Sequence, residues 1–235
     1  MRASISMHCS TDLRFGILIC MARVAGFIDG FNVYHAIDDQ IKSNGKLQFR
    51  RYKWIDYRAL CEQYLEASDH LGRVVWFTAY VKWKSAAAEA MKARHRVLAR
   101  AMEERGVEVE LGKFRPVTKK CLATCRQLFN TFEEKRTDVK IALWIYRLAA
   151  LGEYDKAIIV SGDSDLLPAL EMAHAEVPEI SFVNVVPIGR TSQELSRPSF
   201  VVQRRMNEID LKNSRLPDVL QLRSGRALHC PQEWE

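Results

Sequence analysis

The run Ala157-Ile158-Ile159-Val160, followed at once by Ser161-Gly162-Asp163-Ser164-Asp165, restricts the possible folds of this chain more than any other stretch. An unbroken apolar run, mostly β-branched, reads as a strand buried on both faces. Strands of that kind belong to parallel sheets with helices above and below. Such sheets carry their functional groups just beyond the carboxyl ends of the strands. Asp163 and Asp165 stand at that point, and Asp138 opens the helix expected before the strand. These carboxylates read as part of a divalent-metal site.

The beginning of the chain repeats the arrangement. Val24-Ala25-Gly26-Phe27-Ile28 is a first buried strand, and it runs into Asp29-Gly30-Phe31-Asn32. Glycine permits a sharp turn there, and Asn32 is close enough to hydrogen-bond whatever Asp29 holds. A plain strand-to-helix turn, with Asn32 as the helix cap, would use the same residues.

Between these two strands the pattern predicts a polar loop over 38–50 and a helix over 54–67. A strand over 73–81 and a helix over 85–105 come next, the helix capped by Ser85 and stopped by Gly106. Alternating Val and Glu over 107–114 predict a third strand with one solvated face or an edge position. Residues 115–134 read as an irregular, basic insertion. It carries Cys121 and Cys125, four apart, but a structural zinc site needs four ligands, and ordinary thiols are expected. The Asp138 helix ends near Leu151, a helix follows over 166–176, and a fifth strand over 180–186. Residues 190–211 read as partly helical, and a short closing element runs from Leu216 to Trp234. Strands and helices in alternation predict a doubly wound α/β fold on a mostly parallel sheet of about five strands.

Composition adds limits. The 235 residues suffice for one α/β domain, expected over 21–235, and 48% apolar residues rule out wholesale disorder. No apolar run reaches the roughly eighteen residues a membrane-spanning helix needs, so no membrane partner is expected. Six scattered cysteines suit a reducing cytoplasm. The net charge is +6, yet residues 82–126 alone hold twelve Lys/Arg against five Glu. The basic character therefore lies in one segment, which reads either as a solvated helix face or as a nucleic-acid surface. Residues 1–20 read as an extension that is dispensable, poorly ordered or a start-site artefact, because Met21-Ala22-Arg23 is a more natural beginning.

If the first and fourth strands are neighbours, Asp29, Asp138, Asp163 and Asp165 converge on one crevice. Carboxylates so close raise one another's pKa values unless a cation neutralises them. Oxygen-only ligation favours Mg²⁺ or Mn²⁺. A cluster of this kind suits phosphoryl chemistry, in which the metal activates a water and offsets phosphate charge.

Three motifs in this order, Phe27 through His35, Lys135-x-x-Asp138-Val139 and Ile159 through Pro168, closely resemble the NYN domain, the LabA-like relatives of PIN-domain nucleases. The ending Leu216-Pro217-Asp218 … Pro231-x-x-Trp234 is similar to the close of bacterial members. The resemblance implies a PIN-like three-layer α/β/α sandwich and Mg²⁺- or Mn²⁺-dependent cleavage of RNA, single-stranded RNA being the expected partner. By motif position, Asp29, Asp138, Asp163 and Asp165 become the metal-binding, catalytic acids. Asn32, Ser161 and Lys135 become substrate contacts, while Glu134 is left without a role. A homo-oligomer and a non-catalytic RNA-binding module with the same pocket stay open. A haloacid-dehalogenase-type phosphohydrolase is disfavoured, because Asp29 is followed by Gly30-Phe31 and lacks a second acid two residues on. No P-loop or G-x-G-x-x-G occurs, which disfavours a nucleotide switch or a dehydrogenase.

Overall fold

Successive residues of the central strands feed two different apolar cores, which is why the strands lack polar alternation. Val24, Ile28, Val74, Trp76, Ile158 and Val160 face one core, and Ala25, Phe27, Val75, Phe77, Ala157 and Ile159 face the other. A sheet apolar on both faces has to be covered on both. The computed structural model describes residues 9–11, 18–83, 85–121 and 126–235.

In chain order, β1 (Cys9–Thr11) and β2 (Leu18–Cys20) form a short antiparallel pair ahead of β3 (Ala22–Asp29) and α1 (Gly30–Lys42). A 3₁₀ segment (Leu47–Lys53), α2 (Tyr57–Glu62), β4 (Asp69–Thr78), α3 (Ala86–Glu104) and β5 (Val107–Leu111) follow. Then come β6 (Lys113–Lys120), β7 (Leu128–Lys135), α4 (Thr137–Ala150), β8 (Lys156–Val160), α5 (Leu167–Glu176), β9 (Ser181–Val186) and β10 (Val201–Arg205). The chain closes with α6 (Glu208–Asn213), β11 (Val219–Gln221), β12 (Ala227–His229) and a 3₁₀ turn (Gln232–Trp234).

The main sheet has the order β10-β9-β8-β3-β4-β5, and every neighbouring pair is parallel. Residues of α1, α2 and α3 pack in one core, and those of α4 and α5 in the other, giving the expected three-layer α/β/α sandwich. The first and fourth predicted strands, β3 and β8, are neighbours at the centre, paired from Val24↔Lys156 to Ile28↔Val160. Among the described residues, no helix is long and apolar enough to cross a membrane.

The structure corrects several expectations. Val201–Arg205, inside the stretch expected to be partly helical, is an edge strand of the main sheet. Its one-sided burial and charged end hid it. Helix appears only at Glu208–Asn213, held by a capping box between Asn207 and Asp210. The insertion is regular: β6 and β7 pair in register from Lys113↔Lys135 to Lys120↔Leu128. Lys113 and Phe114 belong to this hairpin and not to β5, since the chain leaves the sheet at Gly112, whose N–H bonds Thr78 O at 2.7 Å. Residues 38–42 continue α1, and the helix expected over 54–67 shortens to α2, started by Asp56. The expectation for residues 1–20 falls mostly outside the described residues, as does Cys125; Cys121 is a free thiol.

Candidate active site

Parallel pairing of Ile28 with Val160 leaves the next residues, Asp29 and Ser161, side by side at the carboxyl end of the sheet. Asp29 is the N-cap of α1, and its Oδ1 accepts the Asn32 N–H at 3.0 Å. The cap is therefore Asp29 and not Asn32. The Asn32 side chain reaches across instead, its Oδ1 accepting the Gly162 N–H at 3.1 Å. Ser161 Oγ donates to Asp29 Oδ2 at 2.9 Å and accepts the Asp163 N–H at 3.1 Å. Asp163 Oδ1 in turn accepts the Asp165 N–H at 3.0 Å. This relay locks the end of β3 to the loop after β8.

Asp138 arrives from a third direction, in the first turn of α4. Arg136, just before that helix, has φ of +83°, a left-handed conformation rare for a side chain with a Cβ, and it turns the chain from β7 into α4. Arg190 comes from the turn after β9, where its N–H bonds Pro187 O at 3.0 Å. Asp29, Asn32, Asp138, Asp163 and Arg190 line one open pocket with Phe31 and His35. Arg190 Nη2 also donates to Asp39 Oδ2 at 2.6 Å.

The electrostatics follow from this crowding. Asp29 is only 5% exposed, and burial, reinforced by the charges of Asp138 and Asp163, pushes its carboxyl up to about 6. The hydrogen bonds from Asn32 and Ser161 pull the other way without prevailing. Desolvation also raises Asp138, with help from the charges of Asp163 and Asp165 and against the charge of Lys135. Burial lowers His35, and nearby Arg190 adds to that.

Among the described residues, no group of three or more His, Cys, Asp or Glu side chains is drawn together tightly enough to encage a metal ion. The donor set nevertheless fits a hydrated hard cation. The pocket offers carboxylate and amide oxygens, and Mg²⁺ commonly leans on one or two carboxylates while keeping several waters. Mutual repulsion among the three acids is the condition a cation would relieve.

Of the residues singled out by sequence, Asp29, Asn32, Asp138 and Asp163 meet on the pocket wall. Ser161 is wholly buried behind Asp29, which places its hydroxyl as a brace for that carboxylate. Asp165 is exposed and off the wall, though its charge reaches Asp138; the charge of Lys135, at the end of β7, also acts on Asp138, in the opposite sense. The side chain of Glu134 lies outside the described residues. Sequence reading missed Phe31, His35 and Arg190. Phe31 and His35 lie one helical turn apart on α1, the spacing that puts two side chains on one face. Arg190 lies in the turn beyond the carboxyl end of β9, the side of the sheet where parallel sheets place their sites.

A parallel sheet with acids delivered from the ends of its two central strands and from a helix start defines a PIN-like α/β/α domain. The NYN domain model matches residues 23–201, and the chain belongs to this family of PIN-like nuclease domains. The chain is 27% identical over 229 residues to 6-hydroxy-3-succinoylpyridine 3-monooxygenase HspA of Pseudomonas putida (strain DSM 28022 / S16), covering 83% of this chain and 70% of that protein. It is also similar to the crystal structure of VPA0982, a protein of unknown function from Vibrio parahaemolyticus RIMD 2210633. That likeness has a TM-score of 0.47 and 16% identity, over 80% of this chain and 94% of the other.

Proposed function

We propose that this chain is a Mg²⁺- or Mn²⁺-dependent ribonuclease that hydrolyses single-stranded RNA in the cytoplasm. The observation that carries this reading is the convergence of Asp29, Asp138 and Asp163 on a pocket that also holds Arg190. One or two of these carboxylates would hold a hydrated cation, whose chemistry when bound is to activate a water and offset charge on the phosphate. Ser161 and Asn32 keep the Asp29 carboxylate and the Gly162 backbone in fixed orientation. Arg190 would bind a non-bridging phosphate oxygen, a task suited to its planar, permanently charged fork. Lys113, Arg115, Lys119 and Lys120 are exposed on the β6–β7 hairpin, and would track the RNA backbone. The hairpin base reaches the site directly, because Phe114 packs edge-on against Phe31 at 5.6 Å.

The test is cleavage of a single-stranded RNA panel with Mg²⁺ or Mn²⁺, comparing wild type with Asp29→Asn and Asp163→Asn. Each substitution is expected to lower the rate by about a hundredfold or more. Equal cleavage by all three proteins would refute the assignment. Salt-dependent RNA binding without turnover under any of these conditions would favour the non-catalytic module.

One observation favours a second reading. An aromatic-lined cavity adjoins the carboxylate pocket, and the name of the P. putida relative assigns that protein a pyridine substrate. In this reading the cavity admits a free hydroxypyridine ring. Saturable binding of such a ring, with no nuclease activity, would support it.

A further inference from the structure

Helix α4 is apolar on two sides. Ile141, Ile145 and Leu148 are buried in the core it shares with α5. Val139, Leu143, Tyr146 and Ala150 follow one another at intervals of four, three and four residues on the opposite side, the spacing of a second apolar seam. Val139 and Leu143 are each 61% exposed, as is Leu151 just past the helix end. Leu143, Tyr146, Ala150 and Leu151 line one shallow groove. A surface helix normally turns charged residues to that side, and contiguous exposed apolar surface marks an interaction site.

The charges beside this seam are sorted by sign. On its β5 flank, Lys140 Nζ donates to Glu110 Oε2 at 2.7 Å, and Arg73 lies over the Trp144 ring at 5.8 Å from its centroid. Arg147 stands two turns beyond Lys140 on the same flank, exposed and without an ion-pair partner among the described residues. The other flank meets α5, which packs beside α4 and exposes Glu171, Met172 and Glu176. Neither glutamate has an ion-pair partner among the described residues. The helical layer thus runs from a cation, over an apolar seam, to acids. A face in that order is complementary to a copy of itself turned about an axis along the helices.

We propose that this face joins two copies of the chain, with α4 of each lying parallel to α4 of the other across that twofold axis. Antiparallel helices would lay basic flank on basic flank. The parallel arrangement sets Arg147 over the partner subunit's α5 instead. Both helices run back from the carboxyl end of the sheet, because each leads into a parallel strand, so Arg147 falls at a depth between Glu171 and Glu176. With 14 residues in α4 and 10 in α5, the two helices side by side cover roughly 20 Å by 20 Å. That is the low end of specific interfaces, which suits a reversible dimer. Parallel helices also carry the carboxyl ends of both sheets to one side of the dimer. The two acid pockets then open side by side, since Val139 of the seam directly follows Asp138.

Analytical ultracentrifugation of the full chain is expected to show a monomer–dimer equilibrium with a dissociation constant on the order of 10 µM. Leu143→Glu, which puts a charge in the seam, is expected to weaken it by about a hundredfold or more. Arg147→Glu is expected to weaken it about tenfold, and adding Glu171→Arg with Glu176→Arg to restore it to within about threefold of wild type. Circular dichroism checks that each variant is folded, and Leu143→Gln serves if Leu143→Glu is not. Ala150→Cys tests the direction of the helices. On oxidation it is expected to give a disulfide-linked dimer that wild type does not form, because a parallel seam sets each new thiol against its counterpart. Antiparallel helices would hold the two thiols about 16 Å apart, beyond the reach of a disulfide. A wild type that stays monomeric up to about 200 µM would overturn the proposal. So would a dimer that the folded Leu143 variants leave intact, a charge reversal that is not restored by the second one, or the absence of the Ala150→Cys cross-link.

Discussion

At Asp29 two sets of forces oppose each other. Both carboxylate oxygens accept hydrogen bonds, from Asn32 N and Ser161 Oγ, and these favour the charged form. Burial and the neighbouring acids oppose it more strongly, so the folded-state pKa, about 6, exceeds its ordinary value. A raised carboxyl pKa contributes stability that is fully present below the ordinary value and is lost as pH rises through 6. Without divalent metal, Asp29→Asn is therefore expected to gain on the order of 2 kcal/mol over wild type at pH 8, and no such gain at pH 4. Urea unfolding at the two pH values measures this, and Mg²⁺ should stabilise wild type more than the variant. Ser161→Ala removes the brace and leaves the Asp163 N–H without its acceptor, an expected loss of about 1–3 kcal/mol by the same method. The acids were legible in the sequence because strand ends before Ser-Gly-Asp and Asp-Gly are positional signals. Arg190 was not, since a single arginine after a Pro-x-Gly turn has no pattern around it. The Asn32 cap was misread because either residue of an Asp-x-x-Asn turn can serve as the cap, and only the backbone geometry shows which one does.

Among the elements, the β6–β7 hairpin shows most clearly what composition conceals. Its positive charge was visible, but its strands were not, because cations interrupt the Val, Thr and Phe alternation and Pro116 sits within one strand. Pairing across eight positions still fixes it. The basic stretch as a whole is less uniform than its charge suggests. On α3, Arg94 is engaged with Glu233, while Arg105, the C-cap, is engaged with Asp56. Arg115→Ala with Lys120→Ala is expected to weaken single-stranded RNA binding. It should also flatten the log–log salt dependence by about 0.7 for each phosphate that is no longer neutralised. Titrations at several salt concentrations would show this, with thermal stability changing by less than about 0.5 kcal/mol.

The molecule as a whole was the most legible level, because apolar strands that serve two cores admit few architectures. What the sequence could not show was the sheet order, set by pairing between segments far apart in the chain. Within the main sheet, β3, β4 and β5 come from the first half of the chain, and β8, β9 and β10 from the second, and the two sets meet along β3 and β8. Asp29 stands on one side of that seam and Asp138 with Asp163 on the other. Severing the chain between Lys120 and Leu128 would thus yield two inert fragments, each with an open sheet edge and part of the acid set. Mixing them is expected to restore activity by complementation, with a rate of recovery that is second order in fragment concentration. A single polypeptide would become a two-component reporter of its own assembly.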